Sequence, residues 1–151
     1  MPKMIKQAGF TLVELMVSLA IVGILIATSI PTYQTWRQRA YGQEATVMAR
    51  QILDGQVLYY LEHNDFFPEG ASSTIIIPDT DIGITQQNIQ DVADALNISI
   101  PIEHPLVYEF FNYDTQFLVR ISAPFALYKE GYSALYATVT KEGDFTIFGG
   151  S

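Results

Sequence analysis

The chain has 151 residues, a length typical of one domain with appended segments. It contains no cysteine, which excludes disulfides, thiolate metal sites and cysteine nucleophiles. Its net charge is −8, and the interval between Arg50 and Arg120 holds eleven acidic residues and no Lys or Arg. Such a surface repels phosphate, so we do not expect nucleic acid as a partner.

The first predicted element is a helix over residues 10–30, an apolar run with a single charge. At ~1.5 Å per residue this helix is about 32 Å long, enough to cross a bilayer core of about 30 Å. Lys3 and Lys6 precede the run and favour a cytoplasmic N-terminus, although Arg37 and Arg39 on the far side oppose this. We therefore expect a single-pass membrane segment.

Glu14 is the one charge in this run. A carboxylate costs about 2.5–3.5 kcal/mol at the centre of a membrane helix, and less near an end, where it can reach the interface. The run contains no Lys or Arg to pair with it. Two interpretations stay open: Glu14 reaches toward the interface, or it pairs with a positive charge on another chain or on a newly made amino terminus.

The sequence KQAG at residues 6–9, followed by FTLVELMV, resembles the cleavage and methylation signature of type IV prepilins and related pseudopilins. The resemblance implies a leader of residues 1–9, cleavage between Gly9 and Phe10 by an inner-membrane prepilin peptidase, and N-methylation of Phe10. It also implies that Glu14 meets the Phe10 amine of a neighbouring subunit, which sets the register between subunits.

Gly23 and Pro31 both weaken a helix interior, and they predict a bend in the helix over residues 10–31. A second helical pattern follows over residues 32–63, softened by Gly42 and Gly55 and ended before Pro68. Its recurring apolar positions are Tyr33, Trp36, Ala40, Val47, Met48, Ile52, Leu58 and Leu61. The first two also suit an interfacial anchor.

Residues 64–84 predict a loop that includes a short apolar run at 75–77, and residues 85–96 predict a short helix. After this helix, the apolar residues recur at every second position. This period predicts strands near 106–112, 116–122, 134–140 and 144–148, joined as an antiparallel meander. We predict an α+β fold in which the long helix covers this sheet within a globular head of residues 32–151. The resemblance implies the same architecture.

No enzyme is predicted, because no nucleophile, base and acid occur in a recognisable arrangement, and no cofactor is expected. Asp79 and Asp81 precede Gly83 and are weak candidates for a calcium loop. The EF-hand pattern requires a further Asp or Asn before its glycine and a later Glu, which this segment lacks. A loop of solvated acids is the simpler interpretation.

The predicted function is that of a structural subunit of a type IV pilus-like filament, as a major or minor pilin. Its expected partners are identical or related pilin subunits, the prepilin peptidase, an inner-membrane assembly platform and, before assembly, the membrane. The precursor would sit in the inner membrane with its head outside the cytoplasm, and then join an extracellular pilus or a periplasmic pseudopilus. The alternatives are a type II secretion pseudopilin and a single-pass binding protein that does not polymerise.

Overall fold

The computed structural model describes residues 9–71, 74–77, 83–101 and 105–150. The chain divides into two compact units, Met1–Arg37 and Gln38–Ser151. Its elements in chain order are α1 (Leu12–His63), β1 (Thr74–Ile77), α2 (Gly83–Leu96), β2 (Val107–Asn112), β3 (Gln116–Ser122), β4 (Ala134–Thr140) and β5 (Phe145–Gly150). Residues 12–37 of α1 belong to the first unit and residues 38–63 to the second.

The second unit contains a five-stranded antiparallel sheet whose strands follow chain order from β1 to β5. Side chains alternate between its two faces, as in β3, where Phe117, Val119 and Ile121 are buried and Leu118 and Arg120 are half-exposed. The predicted α+β class is confirmed, and the four strands predicted from the period of two are present.

The prediction of a loop throughout residues 64–84 is wrong at β1. Thr74–Ile77 is a strand that pairs antiparallel with β2, with Ile77 opposite Tyr108. Ile77 is 2% exposed and belongs to the core. A run of four residues carries too little periodicity to separate a strand from a loop, so the pairing with β2, more than thirty residues along the chain, decides its conformation.

The buried face of α1 also differs from the predicted one. It consists of Gly42, Ala45, Met48, Ala49, Ile52, Leu53, Gly55 and Gln56. Six of the eight predicted apolar positions are instead exposed: Tyr33, Trp36, Ala40, Val47, Leu58 and Leu61. Only Met48 and Ile52 of that set are buried. The predicted pattern combined two faces because it gave little weight to the alanines and glycines that fill half of the real one.

Gly42 and Gly55 let other backbone segments pack closely against α1; they do not serve to make the helix flexible. A Cβ at Gly42 would lie 2.5 Å from the Leu127 carbonyl oxygen, and one at Gly55 would lie 2.9 Å from the Leu96 carbonyl oxygen. Both distances are shorter than a Cβ tolerates, so any larger residue would push the neighbouring segment away. The Tyr128 hydroxyl donates to the Gly42 carbonyl at 3.2 Å and holds the same contact.

Candidate assembly segment

Thr11 caps the N-terminus of α1. Its hydroxyl oxygen accepts from the Glu14 amide at 3.2 Å, and its carbonyl accepts the first helical bond, from the Leu15 amide, at 3.1 Å. Thr11 and Glu14 have the spacing of a capping box, a signal that our sequence analysis missed. Glu14 therefore lies in the first turn, where the helix dipole favours a negative charge.

The described apolar side chains of the first unit are exposed. Thirteen large apolar residues between Phe10 and Ile30 are 48% to 80% exposed. The helix α1, which carries twelve of them, is long and apolar enough to cross a membrane, judged by length and composition. Burying one such side chain stabilises a protein by about 1.5–3 kcal/mol, so the whole set represents on the order of 20 kcal/mol or more. This segment requires lipid or protein around it rather than water.

The hydroxyl groups of this segment bond within the helix. The Ser18 hydroxyl donates to the Glu14 carbonyl at 2.8 Å, that of Ser29 donates to Leu25 at 2.7 Å, and that of Thr32 donates to Thr28 at 3.0 Å. A bond to the preceding turn satisfies a polar group that would otherwise be costly in an apolar environment. Glu14 is thus the one side chain of the run whose charge calls for a partner outside its own helix.

Gly23 and Pro31 both lie inside α1, which is assigned as helix without interruption across them. A Cβ at Gly23 would meet nothing within 4 Å. Pro31 carries no N–H, so the carbonyl four residues earlier loses its usual helical donor. The bend predicted at these two residues stays a prediction.

A polar network fixes the chain where α1 ends. Asn112 is fully buried, and its side-chain nitrogen lies 2.9 Å from the carbonyl oxygens of Phe66 and Pro68 and 3.0 Å from a carboxylate oxygen of Asp65. Gln56, also fully buried, donates to the Phe67 carbonyl at 2.6 Å and accepts from the Phe67 amide at 2.9 Å. These two amides replace the backbone partners that the loop lacks.

The Asp65 carboxylate is also held by its own loop. It accepts from the amides of Phe66 and Gly70, at 2.8 and 2.9 Å. Burial acts to raise the pKa of Asp65, but the hydrogen bonds from Asn112, Gly70 and Phe66, together with the charge of Lys141, outweigh it and lower that pKa below its ordinary value of 3.8. The roles of Asn112 and Gln56 in holding this loop were not predicted from the sequence, because their partners are known only once the chain has folded.

The remaining sequence-predicted sites differ in what the structure says of them. Gly9 and Phe10 are exposed residues just before the Thr11 cap. Tyr33 and Trp36 are 70% and 72% exposed, as a contact with lipid or protein requires. The weak calcium candidates Asp79 and Asp81 lie outside the described residues. Within the described ranges, no cluster of three His, Asp or Glu side chains is suited to a metal ion.

Comparison with known proteins gives a match to one family model and several similar proteins. Residues 4–30 match the family model of the prokaryotic N-terminal methylation motif. A type IV major pilin protein of Neisseria gonorrhoeae is 41% identical over 76 residues, which are 50% of this chain and 46% of that protein. A fimbrial protein of Neisseria meningitidis serogroup A is 42% identical over 76 residues, 50% and 44% of the two chains.

A type IV major fimbrial protein of Dichelobacter nodosus is 43% identical over 58 residues, 33% of this chain and 37% of that protein. The chain thus spans less than half the length of the curated relatives it matches. No solved structure matches it. The motif match and the pilin relatives agree: this chain carries the N-terminal methylation motif, and half of it is similar to type IV pilin and fimbrial proteins.

Proposed function

We propose that this protein is a structural subunit of a type IV pilus-like filament. The observation that carries the proposal is the N-terminal segment: a methylation motif over residues 4–30, with twelve exposed large apolar side chains on one helix and Phe10 just before it. A membrane would cover these side chains before assembly, and the equivalent helices of neighbouring subunits would cover them afterwards. The relatives named as major pilins and fimbrial proteins support the same function.

The processing steps form part of the proposal. A prepilin peptidase in the inner membrane removes residues 1–9, and the new amine of Phe10 is methylated. Cleavage between Gly9 and Phe10 leaves one residue before the Thr11 cap, so the positive amine lies next to the start of α1. An inner-membrane platform then transfers the subunit from lipid into the filament.

Glu14 supplies the polar contact of this assembly. Its carboxylate pairs with the Phe10 amine of a neighbouring subunit, because the apolar run around it contains no Lys or Arg. Desolvation of two charges offsets much of their attraction in an apolar environment. We therefore assign to the pair the role of fixing the axial register between subunits, with the apolar contacts providing most of the stabilisation.

Two rival functions use the same segment differently. A type II secretion pseudopilin would assemble a short periplasmic filament through an equivalent N-terminus, and the names of the pilin and fimbrial relatives favour a surface pilus over it. A single-pass binding protein that never polymerises would need the apolar helix alone. It would not need Gly9, Phe10 and Glu14 together.

The variant E14Q separates the two roles that Glu14 can fill. A glutamine at this position still suits the capping box with Thr11, but it carries no charge. We expect E14Q to insert into the membrane and to be processed as the wild type is, while filaments in the sheared surface fraction are lost. Electron microscopy and immunoblotting of the membrane and sheared fractions measure the two properties separately.

S18A is the matched control, because it removes a hydroxyl that bonds only to the preceding turn. This variant should give normal filaments. Normal filaments from E14Q as well would reduce Glu14 to a helix-capping residue and would refute its role in assembly.

A further inference from the structure

The two edge strands of the sheet differ in how well they are protected from pairing with another chain. At one edge, β1 has four residues, is followed directly in sequence by Pro78, and is contacted by α2. At the other edge, β5 has six residues that include no charge and no proline. Short length, proline and charge are the devices by which natural edge strands avoid pairing with other chains. β5 uses none of them.

Among the described strands, only β4 pairs with β5, so the other side of β5 has no strand partner there. Its pairing with β4 uses one side of the strand, from Val139 opposite Phe145 to Ala134 opposite Gly150. Among the described residues, no loop or turn segment makes a backbone hydrogen bond to β5. Two large apolar side chains flank this free edge. Phe145 is 50% exposed on the core face of the sheet, and Phe148 is 47% exposed on the opposite face.

We propose that β5 pairs antiparallel with β5 of a second copy of this chain, with Ile147 on the two-fold axis. Paired residues in a sheet must share a face, so residue numbers in the two copies must add to an even total. In the register that we propose, the numbers of two facing residues add to 294. Residues 145–149 of one copy then face residues 149–145 of the other, and both copies of Phe145 are covered. The next register, in which the two numbers add to 296, pairs residues 146–150 and leaves Phe145 outside the paired strands.

The side chains suit this register. Phe145 faces Gly149 of the second copy, where its ring would pack against the exposed part of the Tyr132 ring that covers that glycine. Gly149 already lies against the Tyr132 ring, 3.0 Å from the position of its absent Cβ, and Tyr132 is 40% exposed. On the other face Thr146 meets Phe148, a β-branched and aromatic pair. The strands carry no charge, so the two copies do not repel each other.

The lack of natural cysteine makes a direct test possible. In I147C the two introduced thiols would face each other across the axis, at the 4.5–5.5 Å Cα separation of paired strands, which a disulfide can bridge. The full chain in detergent micelles should therefore form a disulfide dimer under mild oxidation. E142C, in the turn before β5, is the control, because its two copies would lie roughly 30 Å apart and should stay monomeric.

A second pair of variants tests the strand contact itself. T146K/I147C places a charged side chain against Phe148 of the other copy and should lose the dimer, whereas T146V/I147C should keep it. Thermal melts establish that each variant is folded. Equal dimer yield from I147C and E142C, or an unchanged yield from T146K/I147C, would overturn the proposal. This contact does not depend on the N-terminal segment, so its failure would leave the filament proposal untouched.

Discussion

Asn112 is expected to be the most sensitive polar residue of the second unit. It is fully buried, and its one amide group serves two backbone carbonyls, of Phe66 and Pro68, and the carboxylate of Asp65. Its own carbonyl oxygen accepts from the Asp114 amide at 2.9 Å. N112A removes all four contacts together, and no other described side chain is shown donating to either carbonyl.

The expected cost follows from these contacts. A buried polar group left without its partner loses about 1–3 kcal/mol, and hydrogen bonds to charged groups are at the upper end. The loop is half-exposed, so water replaces part of what is lost. We expect N112A to lower the free energy of unfolding of the second unit by about 3 kcal/mol, which corresponds to a fall in Tm of roughly 10 °C.

Urea unfolding of the full chain in detergent micelles, followed by near-ultraviolet circular dichroism, measures this change. The signal reports the tyrosines and phenylalanines packed in the second unit. Q51A is the matched control, because it deletes an exposed amide on α1 and should change the free energy of unfolding by less than about 0.5 kcal/mol. A change below about 1 kcal/mol for N112A would show that Asn112 does not hold the loop, and would refute the reasoning.

The same network predicts a pH dependence. The pKa of Asp65 is lowered in the folded chain, chiefly by hydrogen bonds that outweigh the effect of burial. Its charged form therefore contributes stability at and above the ordinary pKa of 3.8, and that contribution is lost as the pH falls through the lower folded pKa. N112D should reverse this trend, because two facing carboxylates repel at neutral pH and one can donate to the other once protonated. A stability difference between wild type and N112D that does not shrink on acidification would contradict this.

Four further variants test the packing of α1. G42A should destabilise the second unit by about 1–3 kcal/mol, because its Cβ would lie 2.5 Å from the Leu127 carbonyl oxygen, whereas G23A has open space and should stabilise the helix by up to about 1 kcal/mol. I52A should cost about 2–5 kcal/mol in urea unfolding. L58A, on the exposed face, should cost less than about 0.5 kcal/mol. Equal costs for I52A and L58A would contradict the assignment of the buried face.

The elements that the sequence predicted well are those with a long, regular pattern. The period of two marks β3 and β4 because their buried residues alternate over seven positions in β3 and over the last six in β4. The four residues of β1 carry no such pattern, and their strand conformation depends on pairing with β2. Gly42 was difficult to interpret for a different reason. In the sequence, a glycine within a helix indicates flexibility, and its role in close packing is evident only once the Leu127 carbonyl is known to lie against it.

The candidate site divides in the same way. Gly9, Phe10 and Glu14 could be proposed because they form a compact local motif at fixed spacing. Thr11 was also within reach, since a threonine three residues before a glutamate is the pattern of a capping box. Asn112 could not be predicted, because it acts on a loop 44 to 47 residues earlier in the chain.

Mass spectrometry of protein sheared from the cell surface tests the filament proposal most directly. Filaments should be visible in that fraction by electron microscopy, and their subunit should begin at Phe10 and carry one methyl group on its amine. A chain that still begins at Met1, stays in the membrane fraction and gives no filaments would contradict the account.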